Sequence, residues 1–161
     1  MEIWYNKKLE GFNIKGDFMI IGIGSDHGGF TLKEQVKQYL LSLNYQVIDY
    51  GCNSLESCDY PIFAQKLCRE LTNKKIEKGI LICTTGIGMS ITANRFPNVR
   101  AALVSNEDMC SLTRRHNNSN VLVMGAKYTT IDQAKKYVDI FFNTEFEGGR
   151  HERRINLIER Y

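Results

Sequence analysis

The chain has 161 residues, of which 43% are apolar and 24% are charged, which favours one globular domain with a substantial core. Its net charge of +3 is too small, and its charges are too well interspersed, to predict binding to nucleic acid. No apolar run approaches the ~18 residues of a membrane span, and no signal segment opens the sequence. We therefore expect a cytoplasmic protein that binds neither nucleic acid nor a membrane.

The five cysteines suggest free, reduced thiols rather than disulfides or ligands of a structural metal. Their number is odd, and no CxxC pair or Cys/His group has the spacing of a zinc site. A free cysteine is usually a small buried hydrophobic residue. Only Cys83 has neighbours that point to chemistry, and we expect no metal site.

The first third of the sequence predicts an extension, a strand, a loop and a helix. Residues 1–18 show neither helical nor strand periodicity, so we predict an N-terminal extension or leader, followed by one domain over residues 19–161. Residues 19–24 predict the first strand, which ends in the loop SDHGG. The pattern Thr31-x-x-Glu34 predicts a capping box that opens the first helix.

The middle of the sequence predicts two more units of strand and helix. Residues 46–50 predict the second strand, and Pro61 suits the first turn of the helix that follows. Residues 80–83 form a short apolar run that is typical of a parallel strand covered on both faces. A loop with two glycines follows over residues 84–88, and residues 89–96 predict a helix that ends before a proline.

The last third continues the alternation. Residues 99–105 predict the fourth strand, and residues 107–115 predict a helix that ends in a His-Asn-Asn turn. Residues 121–124 predict the fifth strand. Thr130-x-x-Gln133 predicts a capping box for the next helix, which precedes a basic tail.

Five strands that alternate with helices predict a single-domain, doubly wound α/β fold, in which a parallel sheet lies between two helix layers as a three-layer sandwich. Numbered along the chain, the five predicted strands are expected in the order 2-1-3-4-5. In such sheets, ligands bind beyond the carboxyl ends of the strands, where the strand order reverses. The loops at this point are residues 25–29 and 83–88, and we expect them to form one crevice.

The stretch GILICTTGIGMSITANR, residues 79–95, has the composition of an anion site beside a thiol. Gly86 and Gly88 lack a Cβ, so backbone N–H groups can approach a ligand. Cys83 lies between a strand and a helix N-terminus, where the helix dipole favours a thiolate, either as a nucleophile or as a base beside a carbonyl. A dinucleotide fingerprint would need a third glycine, but the chain has Ile91 there.

Histidines and arginines in loops complete the set of candidates. His27 lies in SDHGG, His116 in RRHNN and His151 in GGRHERR, and their charged neighbours favour function over simple solvation. Arg150 and Arg154 are four residues apart, so they would either lie on a solvated helix face or clamp a phosphate. A sugar phosphate would use this cluster for positioning and the glycine loop for a developing enediolate, which favours proton abstraction.

Five motifs in register, GSDHGGF, DYP, GILICTTGIGMSITAN, LTRRHNNSNVLVMG and EGGRHERR, closely resemble ribose-5-phosphate isomerase type B, of the family that also contains galactose-6-phosphate isomerase subunits. The resemblance covers residues 19–160. It implies a Rossmann-like sheet and an aldose–ketose interconversion through an enediolate, with no metal and no nucleotide cofactor. It also implies a homodimer or a dimer of dimers whose sites are shared between subunits.

The resemblance also implies roles for individual residues. Cys83 would be the base that moves a proton between C2 and C1, within an anion hole formed by the amides of residues 85–90. His116, helped by Thr85, would open the furanose ring, and it would serve the Cys83 of a second subunit. Substrate contacts are expected from the other matched positions: Asp26, His27, Tyr60, which closes the sugar pocket, Gly86, Ile87, Gly88, Ser90, Asn117, Lys127, Arg150 and Arg154.

Among these contacts, the resemblance separates the phosphate from the sugar. His27, Arg150 and Arg154 would take the phosphate, whereas Asp26 and Asn117 would hold the ring oxygen and the hydroxyls. The small-molecule partner is therefore expected to be a sugar phosphate.

The chain departs from the family pattern at a few positions. Some members lack the cysteine and use a glutamate where this chain has Met89, so Cys83 places the chain in the cysteine branch. The HNN and GGRH motifs, which the galactose-6-phosphate subunits lack, favour a pentose. Thr84 stands where glycine is common, and Lys127 stands where an arginine often faces the phosphate, which keeps the charge but loses the bidentate fork. These two changes bear on affinity rather than on reaction type.

The sequence therefore predicts a cytoplasmic, metal-independent isomerase of D-ribose 5-phosphate and D-ribulose 5-phosphate. Three alternatives remain: a hexose 6-phosphate such as allose 6-phosphate as the substrate, a non-catalytic sensor of sugar phosphates, and a nucleotide-binding oxidoreductase. A sensor would need no base, and Ile91 opposes the oxidoreductase.

Overall fold

The computed structural model describes the backbone of residues 3–4 and all of residues 19–158. The rest of the predicted extension over residues 1–18 lies outside the described residues, and so do residues 159–161 at the end of the basic tail. Within the described ranges the sheet has six strands: β1 (Ile3–Trp4), β2 (Ile20–Ser25), β3 (Gln46–Asp49), β4 (Lys78–Cys83), β5 (Ala101–Leu103) and β6 (Val121–Gly125).

Helices connect these strands. The helices of the described part of the chain are α1 (Phe30–Ser42), α2 (Tyr60–Thr72), α3 (Ile87–Ala93), α4 (Glu107–Asn117), α5 (Ile131–Asn143) and α6 (Arg150–Ile155), and a 3-10 turn over His27–Gly29 precedes α1. None of the helices in this part of the chain combines the length and the hydrophobicity that a membrane span requires. Strands β2 to β6 are parallel, so the predicted α/β class with a five-stranded parallel sheet is confirmed.

The predicted strand order is wrong at one end of the sheet. The observed order is β1-β3-β2-β4-β6-β5, which is 2-1-3-5-4 in the numbering of the five predicted strands, rather than 2-1-3-4-5. Strand β6, VLVMG, is buried along its whole length and therefore needs a strand on each side. Strand β5 has only three half-buried residues, which suits an edge strand. At the other edge β1, which the sequence did not predict, pairs antiparallel with β3.

The two faces of the sheet bury separate cores, as expected of a three-layer sandwich. Along β4, Ile80 and Ile82 face a core formed with α1 and α5, in which Tyr137 and Phe141 are buried. The alternate residues of β4, Leu81 and Cys83, face a second core formed with α2 and α3. The period of two along a strand therefore places the Cys83 side chain on the α2 and α3 side of the sheet.

The helix starts test three of the predicted signals. The capping box at Thr130 and Gln133 is confirmed in both directions, and Pro61 lies in the first turn of α2. The capping box predicted at Thr31 is wrong, because α1 begins one residue earlier and Thr31 lies inside it. The local cap is instead Asp26, whose Oδ1 accepts a hydrogen bond from the Gly29 N–H at 3.0 Å.

A buried charge cluster, which the sequence did not predict, fastens α1 to the end of β3. The Lys33 ammonium is 1% exposed and lies 2.8 Å from Asp49 Oδ2, and it also donates to the Cys52 carbonyl at 2.8 Å. Lys37 donates to the same carboxylate oxygen at 2.9 Å. The loop that follows β3 is therefore held against α1.

Candidate active site

Cys83 lies at the carboxyl end of the central strand β4, and residues 84–86 join it to the start of α3. Its side chain is 5% exposed, and its Sγ accepts a hydrogen bond from the Gly86 N–H at 3.1 Å. Gly86 has a φ of +78°, a left-handed conformation that disfavours a side chain. The glycine thus allows the chain to turn back so that an amide points at the sulfur, and a thiolate there would be stabilised by this N–H and the helix terminus.

The end of β6 fixes the opposite wall of this loop. Gly125 pairs with Cys83, and a Cβ on Gly125 would lie only 2.5 Å from the Thr85 carbonyl oxygen. The Ala126 N–H donates to the Cys83 carbonyl at 2.9 Å, and the Lys127 N–H donates to the Thr84 carbonyl at 3.0 Å. These contacts place the exposed Lys127 beside the Cys83 loop, where the predicted site requires it.

The amides within residues 85–90 are not equivalent. The Ser90 N–H donates to the Gly86 carbonyl at 3.0 Å, so only its hydroxyl remains for a ligand. The Ile87 N–H makes a longer bond, 3.3 Å, to Thr85 Oγ1. A ligand can therefore compete for the Ile87 amide more readily than for the Ser90 amide.

The loop after β2 lies against the Cys83 loop. Asp26 is 6% exposed, and a Cβ on Gly28 would collide with the Thr84 side chain. His27 Nδ1 accepts a hydrogen bond from the Cys58 N–H at 3.2 Å. Because Nδ1 is the acceptor, this pattern assigns the proton of a neutral imidazole to Nε2, which can donate to an anion.

Tyr60 closes the crevice from the side of α2. A Cβ on Gly88 would lie 2.5 Å from the Tyr60 Cζ, so the ring packs directly on the glycine loop. Tyr60 is 39% exposed, which leaves its outer edge open to a ligand. Hence seven of the predicted regions of the site converge on this carboxyl edge of the sheet: Asp26, His27, Tyr60, Cys83, Thr85, the segment 86–90 and Lys127.

The remaining predicted residues, His116, Asn117, Arg150 and Arg154, lie together elsewhere. Three of them lie beside two residues that were not predicted, and we define the histidine cluster as His116, Glu147, Arg150, His151 and Arg154. The rings of His116 and His151 are stacked, with centroids 4.2 Å apart and an angle of 7° between planes. Glu147 Oε2 lies 3.7 Å from His116 Nε2 and 3.6 Å from His151 Nε2. Residues Arg150 and Arg154 follow on one face of the short helix α6.

Positive neighbours and burial determine the electrostatics of the histidine cluster. Burial, together with the nearby His116 and Arg150, lowers the pKa of His151 below its usual value. A hydrogen bond from Arg115, at 2.6 Å, lowers the pKa of Glu147. The cluster therefore places an ionised carboxylate beside two histidine rings and arginine side chains.

The two clusters lie at opposite ends of the strands of the sheet, the Cys83 loop at the carboxyl end and the histidine cluster at the amino end. His116 is near the end of α4, and the chain re-enters the sheet at Val121, whose partner is Gly79 at the start of β4. The Asn120 carbonyl accepts from the Gly79 N–H at 2.9 Å. Cys83 is four residues further along β4, which is roughly 13 Å at 3.3 Å per residue. Within one chain, His116, Asn117, Arg150 and Arg154 therefore do not meet Cys83.

Two members of the histidine cluster were not among the predicted site residues. The sequence marks His151 only as one of three loop histidines, although its position in the GGRHERR motif is a usable signal. Glu147 gave no signal, because its pairing with Arg115 spans 32 residues of sequence and depends on how α4 and α6 pack.

The sequence matches known proteins over almost all of the described chain. Residues 21–158 match the Ribose/Galactose Isomerase family. The chain is 39% identical over 138 residues to ribose-5-phosphate isomerase B of Escherichia coli strain K12, which spans 86% of this chain and 93% of that protein. It is 42% identical over 143 residues to the probable ribose-5-phosphate isomerase B of Mycoplasma genitalium, spanning 88% and 94% of the two chains.

Solved structures agree with the fold. A ribose 5-phosphate isomerase from Thermotoga maritima superimposes with a TM-score of 0.87 at 47% identity, covering 89% of this chain and 99% of that chain. Ribose-5-phosphate isomerase B from Mycoplasma genitalium, solved with bound ribulose-5-phosphate, gives a TM-score of 0.85 at 41% identity, covering 89% and 95%.

Proposed function

Because the chain belongs to the ribose/galactose isomerase family, we propose that it interconverts D-ribose 5-phosphate and D-ribulose 5-phosphate through an enediolate. The observation that carries this proposal is the buried Cys83 thiol, whose sulfur accepts a hydrogen bond from the Gly86 N–H at the start of a helix. A related structure of 41% identity contains the ketose of this pair. Together they support a base placed beside an oxyanion site.

Cys83 would act as the base of the isomerisation. Its thiolate would take the proton from C2 of the open aldose, and the resulting thiol would return a proton to C1 to give the ketose. A proton also moves between the two oxygens, so the reaction needs no external oxidant or reductant. The enediolate oxygen would be held by backbone N–H groups of residues 85–88, which are positioned before the charge develops.

Ring opening would require a second subunit. His116, helped by Thr85 Oγ1, would transfer the proton that opens the furanose, but His116 and Cys83 of one chain lie at opposite ends of the strands. A symmetric pairing of two chains would bring the histidine cluster of each to the Cys83 loop of the other. We therefore assign the protein a homodimer, or a dimer of dimers, with shared sites.

The same pairing would complete the phosphate site. His27 Nε2 would donate from the subunit that supplies Cys83, whereas Arg150 and Arg154 would approach from the second subunit as guanidinium donors. Lys127 would add a point charge beside the glycine loop, with less directional preference than an arginine.

The other substrate contacts would orient the sugar. Asp26 and Asn117 would bind the ring oxygen and the hydroxyls, and the Tyr60 ring would cover the pocket above Gly88. This function also favours a cytoplasmic location, where sugar phosphates are metabolised. The amides of Gly86, Ile87 and Gly88, with the hydroxyl of Ser90, would line the reacting end.

The experiment that tests the proposal is conversion of ribose 5-phosphate to ribulose 5-phosphate in the presence of EDTA and with no added cofactor. Cys83→Ala should lower kcat by at least about 100-fold, the lower range for loss of a general base. Cys68→Ala is the matched control, because burial raises the pKa of the Cys68 thiol to about 12 and leaves it inert.

Each outcome distinguishes one candidate function. Substrate binding by calorimetry without any turnover of the wild-type protein would favour the sugar-phosphate sensor. Faster turnover of allose 6-phosphate than of ribose 5-phosphate would favour the hexose alternative. Normal turnover by Cys83→Ala would contradict the assignment of the base even if the isomerase activity is present.

A further inference from the structure

We propose that His116, Glu147 and His151 form a binding site for Zn²⁺, a ligand that the isomerase chemistry does not require. One ring nitrogen of each imidazole and a carboxylate oxygen of Glu147 all lie within 4.8 Å of one another. Two histidines and one glutamate are a common set of protein ligands for a zinc ion with one open position.

The distances to the carboxylate are close to those of a zinc site, but one ring must turn. A metal binds an imidazole in the plane of its ring, and the His116 and His151 rings are stacked with only 7° between their planes. Ligand atoms around tetrahedral zinc, each about 2.0–2.2 Å from the metal, are roughly 3.3 Å apart. Glu147 Oε2 is already 3.7 Å from His116 Nε2 and 3.6 Å from His151 Nε2. The His116 side chain is 33% exposed, so it can turn out of the stack and direct its lone pair at the metal. The Glu147 carboxylate is held by Arg115, and the His151 side chain, which is 9% exposed, stays as the fixed ligand.

The surroundings hold the ligands in the required state. Arg115 binds Glu147 Oε1 at 2.6 Å, which leaves Oε2 directed at the two imidazoles and orients the carboxylate. The His151 Nε2 accepts a long contact, 3.4 Å, from the Nε of the exposed Arg150, so its lone pair already points outward. The metal would displace that weak contact. The positive charges of the neighbouring arginines would lower the affinity of the site for Zn²⁺ by repulsion.

Zinc at this site would have a functional consequence that rests on the proposed function. Coordination uses the Nε2 lone pair of His116, so a zinc-bound His116 can no longer transfer the proton that opens the sugar ring. Zinc should therefore inhibit the isomerase, and the inhibition should disappear when a chelator is added.

Calorimetric titration of the purified protein with Zn²⁺ alone tests the site without relying on activity. Glu147→Gln removes the anionic ligand, and His151→Phe keeps a ring stacked on His116 without a lone pair. Loss of a partner that merely orients a ligand costs 10–100-fold in affinity, so loss of a ligand should weaken binding by at least about tenfold. Glu145→Gln, an exposed neighbour, is the matched control and should bind zinc normally.

Free thiols also bind zinc, so they need their own control. Cys58→Ser removes a thiol that lies 3.8 Å from His27 Nδ1 and should not change the affinity. Wild-type affinity in both Glu147→Gln and His151→Phe, or loss of binding in Cys58→Ser, would overturn the proposal. If zinc binding follows the expected pattern but ribose 5-phosphate is not converted, the metal site stands and the proposed function fails.

Discussion

Mixing two inactive variants should restore activity if His116 of one subunit serves Cys83 of another. Cys83→Ala removes the proposed base, and His116→Ala removes the proposed ring-opening group. A heterodimer of these chains has one site that carries both defects and a second site that carries neither. Rescue is expected because His116 precedes β6, whose first residue pairs with Gly79, whereas Cys83 lies at the other end of β4, roughly 13 Å further along the strand.

The size of the rescue follows from symmetry. In a two-fold dimer each mixed pair has one intact site of two, and random exchange at equal concentrations makes about half of the pairs mixed. The mixture should therefore reach about a quarter of wild-type activity. If one chain formed the whole site, every site would carry one defect and no rescue would occur.

The assay is steady-state turnover of ribose 5-phosphate after the two variants are refolded together, with one variant tagged so that mixed oligomers can be isolated. Thr85→Val mixed with Cys83→Ala is the control, since both residues lie on the same loop and no intact site can form. Purified mixed oligomers with no more activity than their parents would refute the shared site.

Three other variants test separate parts of the structure. Arg150→Ala combined with Arg154→Ala should raise KM for ribose 5-phosphate at least about tenfold without lowering Tm, and an unchanged KM would place both arginines outside the phosphate site. Gly86→Ala, at a φ of +78°, should lower the free energy of unfolding by about 1–3 kcal/mol in urea; equal stability would contradict the left-handed turn. Burial alone would raise the pKa of Asp49, but hydrogen bonds from Lys33 and Lys37 lower this pKa overall. The stability that the ionised Asp49 contributes is therefore present above about pH 4 and is lost as the pH falls through its folded pKa. Glu34 still pairs with both lysines in Asp49→Asn, so the variant should cost less than the roughly 3–5 kcal/mol of a buried charge left unpaired at pH 7. It should also flatten the acid dependence of urea unfolding, and an unchanged pH profile would count against the pairing.

Local patterns predicted most of the secondary structure because they depend on neighbouring residues. The run before Cys83, the capping box at Thr130 and the proline in α2 each describe one strand or one helix start, and each is present in the structure. The capping box predicted at Thr31 is absent because the spacing rule considers only the residues of the box itself. It takes no account of the 3-10 turn before α1, which Asp26 caps.

The order of the strands depends on long-range pairing, which local patterns do not record. The composition of the last two strands nevertheless indicates their order in the sheet. VLVMG is apolar throughout, whereas Ala101–Leu103 has only three residues, two of them alanines. A comparison of these two segments for burial on both sides would have favoured the observed order.

The proposed site residues are divided between the two ends of the strands because the strands are parallel. Residues that follow strands meet at the carboxyl edge, which is why the loops of His27 and Cys83 converge as predicted. His116 instead precedes a strand, so it lies at the amino edge together with α6. The motif order alone was compatible with a single crevice, and only the family resemblance suggested that a second subunit is needed. The topology supplies an independent reason for that proposal: if Cys83 is the base and His116 the ring-opening group, their positions at opposite ends of the strands let them act on one sugar only when two chains face each other.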